Sequence, residues 1–488
     1  MFSQDAEAYA NLRERYLRVG PFGSPDVTQS VRTRLAREYD VSVEIMVVNK
    51  KTHIQYFALA SLSGPDAESI QLAREVRSDT GWPAEIIWEK DASFHTRIRD
   101  TNEHLLAFFS SNKNKEDEEE KRYDRSQFWS HENDTLIFKW KEHEVFFEMP
   151  HDWSMEKTHS DLFQLAHHLL VEPWDKSVMD TWNPTRKPGW RPGLAFSGGI
   201  DSAAAMALMP EETVLLYNER AGIAGQLDHT NAFRFFEKIT NDSGRVVHRI
   251  RSNHEQLRAY QGKSVGFSTD YACAIQVILL SDYFGLDSLA TGMPLENSYL
   301  FHGHRYRDFA TSWFWNHYAP MFEGAGLPLY QPVAGCSEVV NLNIVIASGW
   351  DGWAQSCLRS IQGGEVCGGC WKCFRKNTLQ GSPFEISNEI NTFLSKEPLK
   401  QAVSTLYSIQ RGGVSKKGIN IRTQYPHLSQ FIEMDFSFLE RYIADALLLI
   451  PEKYRGFTET KLNMFALPMN AKQEDQLRAT HLYDDSTA

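Results

Sequence analysis

The stretch Leu194-Ala195-Phe196-Ser197-Gly198-Gly199-Ile200-Asp201-Ser202 carries the residue types needed to hold a polyanion. Three apolar residues read as the end of a buried strand, and the Ala-, Met- and Leu-rich run to Met209 reads as a helix. Gly198 and Gly199 permit positive φ and let backbone N–H groups approach a ligand closely. The helix that follows points its free N–H groups and the positive end of its dipole at the same spot. Ser197 and Ser202 can donate to phosphate oxygens. Asp201 alone would repel phosphate, so its expected task is to hold a Mg²⁺ that bridges phosphates. The Lys-Ser/Thr pair of a Walker A loop is missing. The bland alternative is an ordinary glycine-rich strand–helix turn.

A second cluster of chemistry-bearing residues is Cys357-x9-Cys367-Gly-Gly-Cys370-Trp-Lys-Cys373. Four thiolates complete a tetrahedral Zn²⁺ shell, and two-residue gaps let a chain fold back onto one ion. Three cysteines at this spacing do not pair neatly as disulfides. Reduced or redox-active cysteines and an iron–sulfur cluster are the alternatives. Cys273 sits in an apolar helical pattern and reads as buried filler.

These two clusters must be positioned by an α/β domain. After the glycine loop come a strand over Thr213–Tyr217, a helix over His229–Thr240 and a strand over Val246–Ile250. A long helix over Thr269–Phe284 and a strand over Ser288–Gly292 follow. Strand–helix alternation predicts a parallel sheet with helices on both faces. Ligands of such sheets bind beyond the carboxyl ends of the strands. Upstream, residues 1–40 read as helical; Val41–Val48, His53–Leu62 and Ala84–Trp88 read as strands, Thr135–Met149 as a hairpin and Asp161–Val171 as an apolar helix. The charge run 112–125 reads as a solvated loop. The predicted organisation is an N-terminal α+β recognition domain (1–172), a Pro- and Trp-rich linker (173–192) and the α/β domain with its cysteine site (193–378). A helical C-terminal extension (379–470) and a disordered tail (471–488) complete it. In the linker, Arg186, Lys187 and Arg191 are solvated or touch a phosphate. Within the extension, 384–411 and 427–450 read as helices, and Phe436–Ile450 as core.

Composition is that of a globular chain: 42% of residues are hydrophobic and 23% charged over 488 residues, enough for two or three domains. The net charge of −12 argues against a broad nucleic-acid footprint. No apolar run is long enough to span a membrane. The N-terminal residues lack the apolar core of a signal peptide, so a cytoplasmic location is expected.

The glycine loop resembles the PP-loop, SGGxDS, of the ATP pyrophosphatases, which cleave ATP between its α and β phosphates. That resemblance implies an adenine nucleotide alpha hydrolase-like (HUP-type) fold, ATP as cofactor and an AMP-forming reaction. It further implies that the end of the second strand, at Tyr217, meets adenine, and that the later Gly292 lies near ribose and α-phosphate. With the cysteine set about 160 residues downstream, the region 192–378 is similar to the QueC type, the 7-cyano-7-deazaguanine synthases of queuosine precursor biosynthesis. Leu329–Ser356 has the look of that family's segment ending before its first cysteine. Where the family has a lysine two residues before a glutamate, this chain has Cys336 before Glu338; Arg305, Arg307 or Lys263 could substitute. The family's PxRN segment is not recognisable, and Gly266–Asp270 stands near its place. Glu296 or Asn297 stands for a family aspartate, and Arg375 matches an expected arginine. A chain enlarged at both ends resembles the QueC-like proteins of anti-phage defence operons, the QatC type.

The resemblance implies a ligase. The carboxylate of a deazaguanine-type substrate would be adenylated with release of pyrophosphate, and an amine would then displace AMP. The product is an amide, a nitrile with ammonia and a second ATP, or a conjugate with a protein partner from the same operon. Other readings are a housekeeping 7-cyano-7-deazaguanine synthase, a tRNA thiolase-like enzyme and a nucleotide-holding scaffold without turnover. Four cysteine ligands leave zinc no open position, so its expected role is structural.

Overall fold

Val214 and Leu216 enter one buried cluster, while Leu215 and Tyr217 enter another. A strand buried on both faces belongs to a parallel sheet covered on both sides. The computed structural model bears this out. It describes residues 15–22, 25–39, 41, 43–49, 54–62, 66–80, 82–88, 96–98, 123–222, 227–355, 357–358, 365–382, 384–412 and 420–483. The chain divides into one unit of residues 1–122 with 179–181, and a second of 123–178 with 182–488.

The first unit contains β1 (Arg15–Phe22), α1 (Pro25–Tyr39), β2 (Val43–Asn49), β3 (Ile54–Leu62), α2 (Asp66–Thr80), β4 (Ala84–Trp88) and β5 (Thr96–Ile98). Its sheet has the order β4-β1-β3-β2-β5, antiparallel throughout. This is the split βαβ arrangement with one added strand. The helical reading of 1–40 is corrected over Arg15–Phe22. Tyr16 is buried on one face of β1 and Leu17 and Val19 on the other, a period of two too short to stand out among charged residues. The first 14 residues of that reading, and residues 112–122 of the charge run, lie outside the described residues.

The second unit is built on an eight-stranded sheet. Its strands are β6 (Trp129–Glu132), β7 (Thr135–Trp140), β8 (His143–Glu148), β9 (Arg191–Ala195), β10 (Val214–Arg220), β11 (Val247–Ser252), β12 (Leu286–Ala290) and β13 (Leu329–Tyr330). In the order β13-β12-β9-β10-β11-β8-β7-β6, the first five are parallel and the last three antiparallel. The hairpin of 135–149 thus joins the central sheet through β8 and β11, and residues 123–178 fold with the second unit, not the first. One face is covered by α3 (Ser160–Val171), by α6 (Trp313–Gly324) and by three short helical segments, Asp270–Ala274, Ile275–Leu279 and Ser281–Phe284, which replace the single long helix expected over Thr269–Phe284. The other is covered by α4 (Ile200–Leu208), α5 (Thr230–Ser243), α7 (Glu338–Ala347) and, near the C-terminus, α11 (Glu452–Asn463).

Beyond α7 come α8 (Trp371–Leu379), α9 (Asn388–Leu394), α10 (Ala402–Gly412) and, after α11, α12 (Ala471–Arg478). Their apolar residues form one cluster with Leu295, Tyr299, Phe309 and Val339. The helix expected over 427–450 is instead a series of short turns. Its apolar residues serve two cores, Phe438 and Ile443 in one, Tyr442 and Ile450 in the other, so no single helical stripe suffices. The disordered tail is corrected as well. An Asn470/Gln473 capping box starts α12, and Leu477, Leu482 and Tyr483 are buried; residues 484–488 lie outside the described residues. No helix among the described residues is long and apolar enough to cross a membrane.

The segment 173–192 is exposed over 187–190, as expected of a solvated linker, but is anchored at Arg186. Arg186 is buried; its Nε donates to Asp282 at 2.8 Å, and its other nitrogens donate to the carbonyls of Ala325, Gly326 and Leu286 at 2.8–3.0 Å. The guanidinium is thus engaged by one carboxylate and three carbonyls, of which that of Leu286 also accepts the Gly189 N–H at 3.0 Å. Arg186→Met should lower stability in denaturant unfolding by about 3 kcal/mol, because it strands a carboxylate and buried carbonyls. An unchanged midpoint would contradict this role.

Candidate functional site

The chain passes from β9 through β10 to β11 on one side, then returns to lay β12 and β13 on the other side of β9. The strand order therefore reverses between β9 and β12, and a crevice opens beyond their carboxyl ends. The Ser197–Gly199 loop follows β9 and Gly292 follows β12, so both stand at this point. Gly198 has φ +72°, a conformation open to glycine at little cost. Ser197 Oγ lies 3.0 Å from Ser202 Oγ and accepts from the Gly199 N–H at 3.3 Å; Ser202 Oγ donates to Gly199 O at 3.1 Å. The hydroxyls thus shape the loop as well as lining it.

Gly292 packs on the first turn of α4. A Cβ there would stand 2.6 Å from Ser202 N and 2.8 Å from the Asp201 carbonyl carbon. Only a residue without a side chain lets the two backbones meet. This contact brings the two family-implied elements, loop and later glycine, to one place.

Around them lies a buried charge cluster. Asp201 Oδ1 accepts from Asn341 Nδ2 at 2.8 Å. Shielding from water raises the Asp201 carboxyl above its ordinary range, against the pull of Asn341, Arg375 and Lys372. Glu296, fully buried, accepts the Glu338 N–H at 3.1 and 3.2 Å. Burial first, with help from the nearby Asp201, pushes its carboxyl up to about 8. Arg375, also buried, pairs with Glu338; burial brings its guanidinium down to about 10, against the attraction of Glu296 and Asp201. Two enclosed carboxyls, each raised by burial and Glu296 further by Asp201, fit a site for a divalent cation, which would stabilise their charged forms.

The four cysteines converge. Their Sγ atoms all lie within 4.8 Å of one another, with Cys370–Cys373 at 3.5 Å and Cys367–Cys373 at 3.8 Å. Tetrahedral Zn–S bonds give sulfur–sulfur separations of about 3.8 Å. All four are free thiols, so the cluster could hold a metal ion such as zinc. Gly368 makes the turn at φ +67°, and Cys370 caps α8. The first turns of α8 carry Lys372 and Arg375, while Lys376 donates to Ala354 O at 3.0 Å and Gln355 Oε1 at 3.2 Å. Gln355 N in turn donates to Gly198 O at 3.0 Å. The cysteine centre and the glycine loop are thus tied through two residues of the intervening chain.

Other sequence-derived candidates lie elsewhere. Tyr217 is buried within β10, three residues before the strand ends, with its hydroxyl on His229 Nδ1 and its ring against Phe236. Its side chain is committed to the core, and its backbone lies in the β10–β11 ladder opposite Arg249. Arg307 is engaged by the Ser298 and Asn297 carbonyls, and Lys263 lines a separate cavity. The cations beside Asp201 are Arg375 and Lys372 instead. Cys336 is buried, and its thiol is held protonated by burial. Asn341 escaped the sequence reading. Its signal was a polar residue one turn after Glu338 on a mostly apolar helix, and it is fully buried.

The profile of a family of unknown function, DUF6395, matches residues 317–481, which covers α7, the cysteine centre and the C-terminal helices. No curated protein matches the chain, and no solved structure does.

Two outcomes follow from this geometry. Metal analysis should find about one zinc per chain bound at the four thiols, and Cys370→Ser should lose that equivalent along with the order of α8; a native chain without metal at the four thiols would contradict the assignment. Glu296 ionises near 4.5 when free and near about 8 when folded. Between those values the native state keeps a proton that the unfolded chain has released. Its stabilising effect is therefore full below about pH 4.5 and is lost as pH rises through about 8. Without added Mg²⁺, Glu296→Gln should raise Tm by at least about 2 °C at pH 9 and leave it unchanged at pH 5.

Proposed function

We propose that this protein is a QueC-like, PP-loop ATP-dependent ligase that adenylates a deazaguanine-type carboxylate and passes the acyl group to an amine, releasing AMP and pyrophosphate. The observation that carries the reading is the contact of Gly292 with the first turn of α4 at the reversal of strand order. It joins a phosphate-suited loop to a second strand end beside buried carboxyls. Free N–H groups at the loop and the start of α4, with Ser197 and Ser202, would hold the departing pyrophosphate. Asp201, with Glu296 nearby, would hold Mg²⁺, which when bound screens phosphate charge. Arg375 and Lys372 supply the positive charge that the family lysine, here Cys336, would have brought.

A carboxylate is a poor electrophile because its leaving group would be oxide. Attack of its oxygen on the α-phosphorus of ATP expels pyrophosphate and leaves an acyl-adenylate. An amine then displaces AMP and gives an amide. The cysteine centre, closed if its four thiolates hold zinc, positions α8 and Arg375. Free thiols at every described cysteine suit a cytoplasmic setting. The first unit supplies a separate surface on which a protein carrying the acceptor amine would dock, as in a defence cassette.

The test incubates the full chain with Mg-ATP, a deazaguanine carboxylate and the protein encoded by the adjacent gene. AMP and pyrophosphate should form, and the partner should gain the mass of the deazaguanine acyl group. Asp201→Asn should lower AMP formation at least about 100-fold with the fold retained. ADP as product would overturn the PP-loop reading. A nitrile formed from ammonia at full rate without the partner would leave the simple synthase in its place.

A further inference from the structure

We propose that His168, Glu172 and His317 form a second metal site, for a divalent cation of the zinc type, on the face of the sheet away from the glycine loop. This proposal stands apart from the PP-loop reading. His168 and Glu172 are one turn apart at the end of α3, on one helix face, and His317 comes from α6. The candidate ligand atoms, one per residue, all lie within 4.8 Å of one another. His168 Nε2 stands 3.8 Å from Glu172 Oε1, beyond a hydrogen bond and near the separation of about 3.4 Å that tetrahedral zinc imposes on nitrogen and oxygen ligands.

The independent observation is the state of His168. It is 2% exposed, and neither ring nitrogen has a hydrogen-bond partner. A neutral imidazole carries one lone pair, and burying it unused is unfavourable; an ion beside Nε2 would use it. The outer contacts are those of a ligand set. Tyr318 donates to Glu172 Oε2 at 2.7 Å, fixing the carboxylate, and Trp313 stacks on His317 with ring centroids 4.6 Å apart. His317 Nε2 now bonds Glu172, and the two would part to admit the ion. Glu172 also lines a cavity of about 650 Å³ together with Lys176, Arg258 and Lys263. Three protein ligands leave a position open, and the cations around that cavity suit an anion as the fourth.

The test uses the full chain with its cysteine centre filled, dialysed against micromolar Co²⁺ or Zn²⁺. Wild-type protein should hold one equivalent more than His317→Ala or Glu172→Gln. The extra Co²⁺ should show weak d–d bands without thiolate charge transfer, and inorganic phosphate should shift those bands. His317 is partly exposed, so its truncation should leave α6 folded, checked by an unchanged thiolate–Co²⁺ band at the cysteine centre. Equal metal content in wild type and both variants would overturn the site. Bands indifferent to phosphate would overturn the anion.

Discussion

The guanidinium of Arg375 is the group on which the candidate site depends. It is buried, leaves α8 two residues after the last cysteine, pairs with Glu338 at the start of α7 and lies in the field of Asp201 and Glu296. An unpaired arginine would not be tolerated there, and neither would the two acids without it. The cysteine centre thereby gains a role beyond holding its own loop. It sets the start of α8, and through α8 a buried cation that faces both carboxyls.

Strand order explains why the charges meet there. The parallel strands β9 and β12 are neighbours, yet the chain between them visits the opposite side of the sheet. Their ends are open to a ligand because no connection crosses directly from one to the other. Gly292 then closes the distance: with no Cβ, the chain after β12 rests on Ser202 N. The C-terminal helices share a core with Leu295, Tyr299 and Val339, so the part of the chain matched by DUF6395 also supports the floor of this crevice.

The second unit thus holds two clusters of ligand-type side chains besides its glycine loop. The thiols come from one short stretch and α8. The histidine–glutamate set comes from helices α3 and α6, 145 residues apart between Glu172 and His317. The physical difference is locality. Cysteines with two residues between them meet through a turn, whereas residues on two helices meet only once both have packed on a sheet.

That difference also separates what the sequence by itself determined from what tertiary structure decided. Local signals were legible. The glycine loop between apolar strand and alanine-rich helix, the cysteine spacing and the alternation of strands and helices depend on neighbours within about 20 residues. The hairpin at 135–149 was legible as a hairpin, but its place on the central sheet rests on the β8–β11 pairing, over a hundred residues away. The Pro- and Trp-rich segment read as a linker because nothing local shows that Arg186 will find Asp282 and three carbonyls. The chain over 427–450 read as helical because hydrophobicity alone cannot say that its apolar residues face two cores. Asn341 went unremarked in the sequence because only the packing of α7 on α4 places it against Asp201. Side-chain type and short spacing specify chemistry locally; which groups share a buried volume, and with what pKa, is a property of packing.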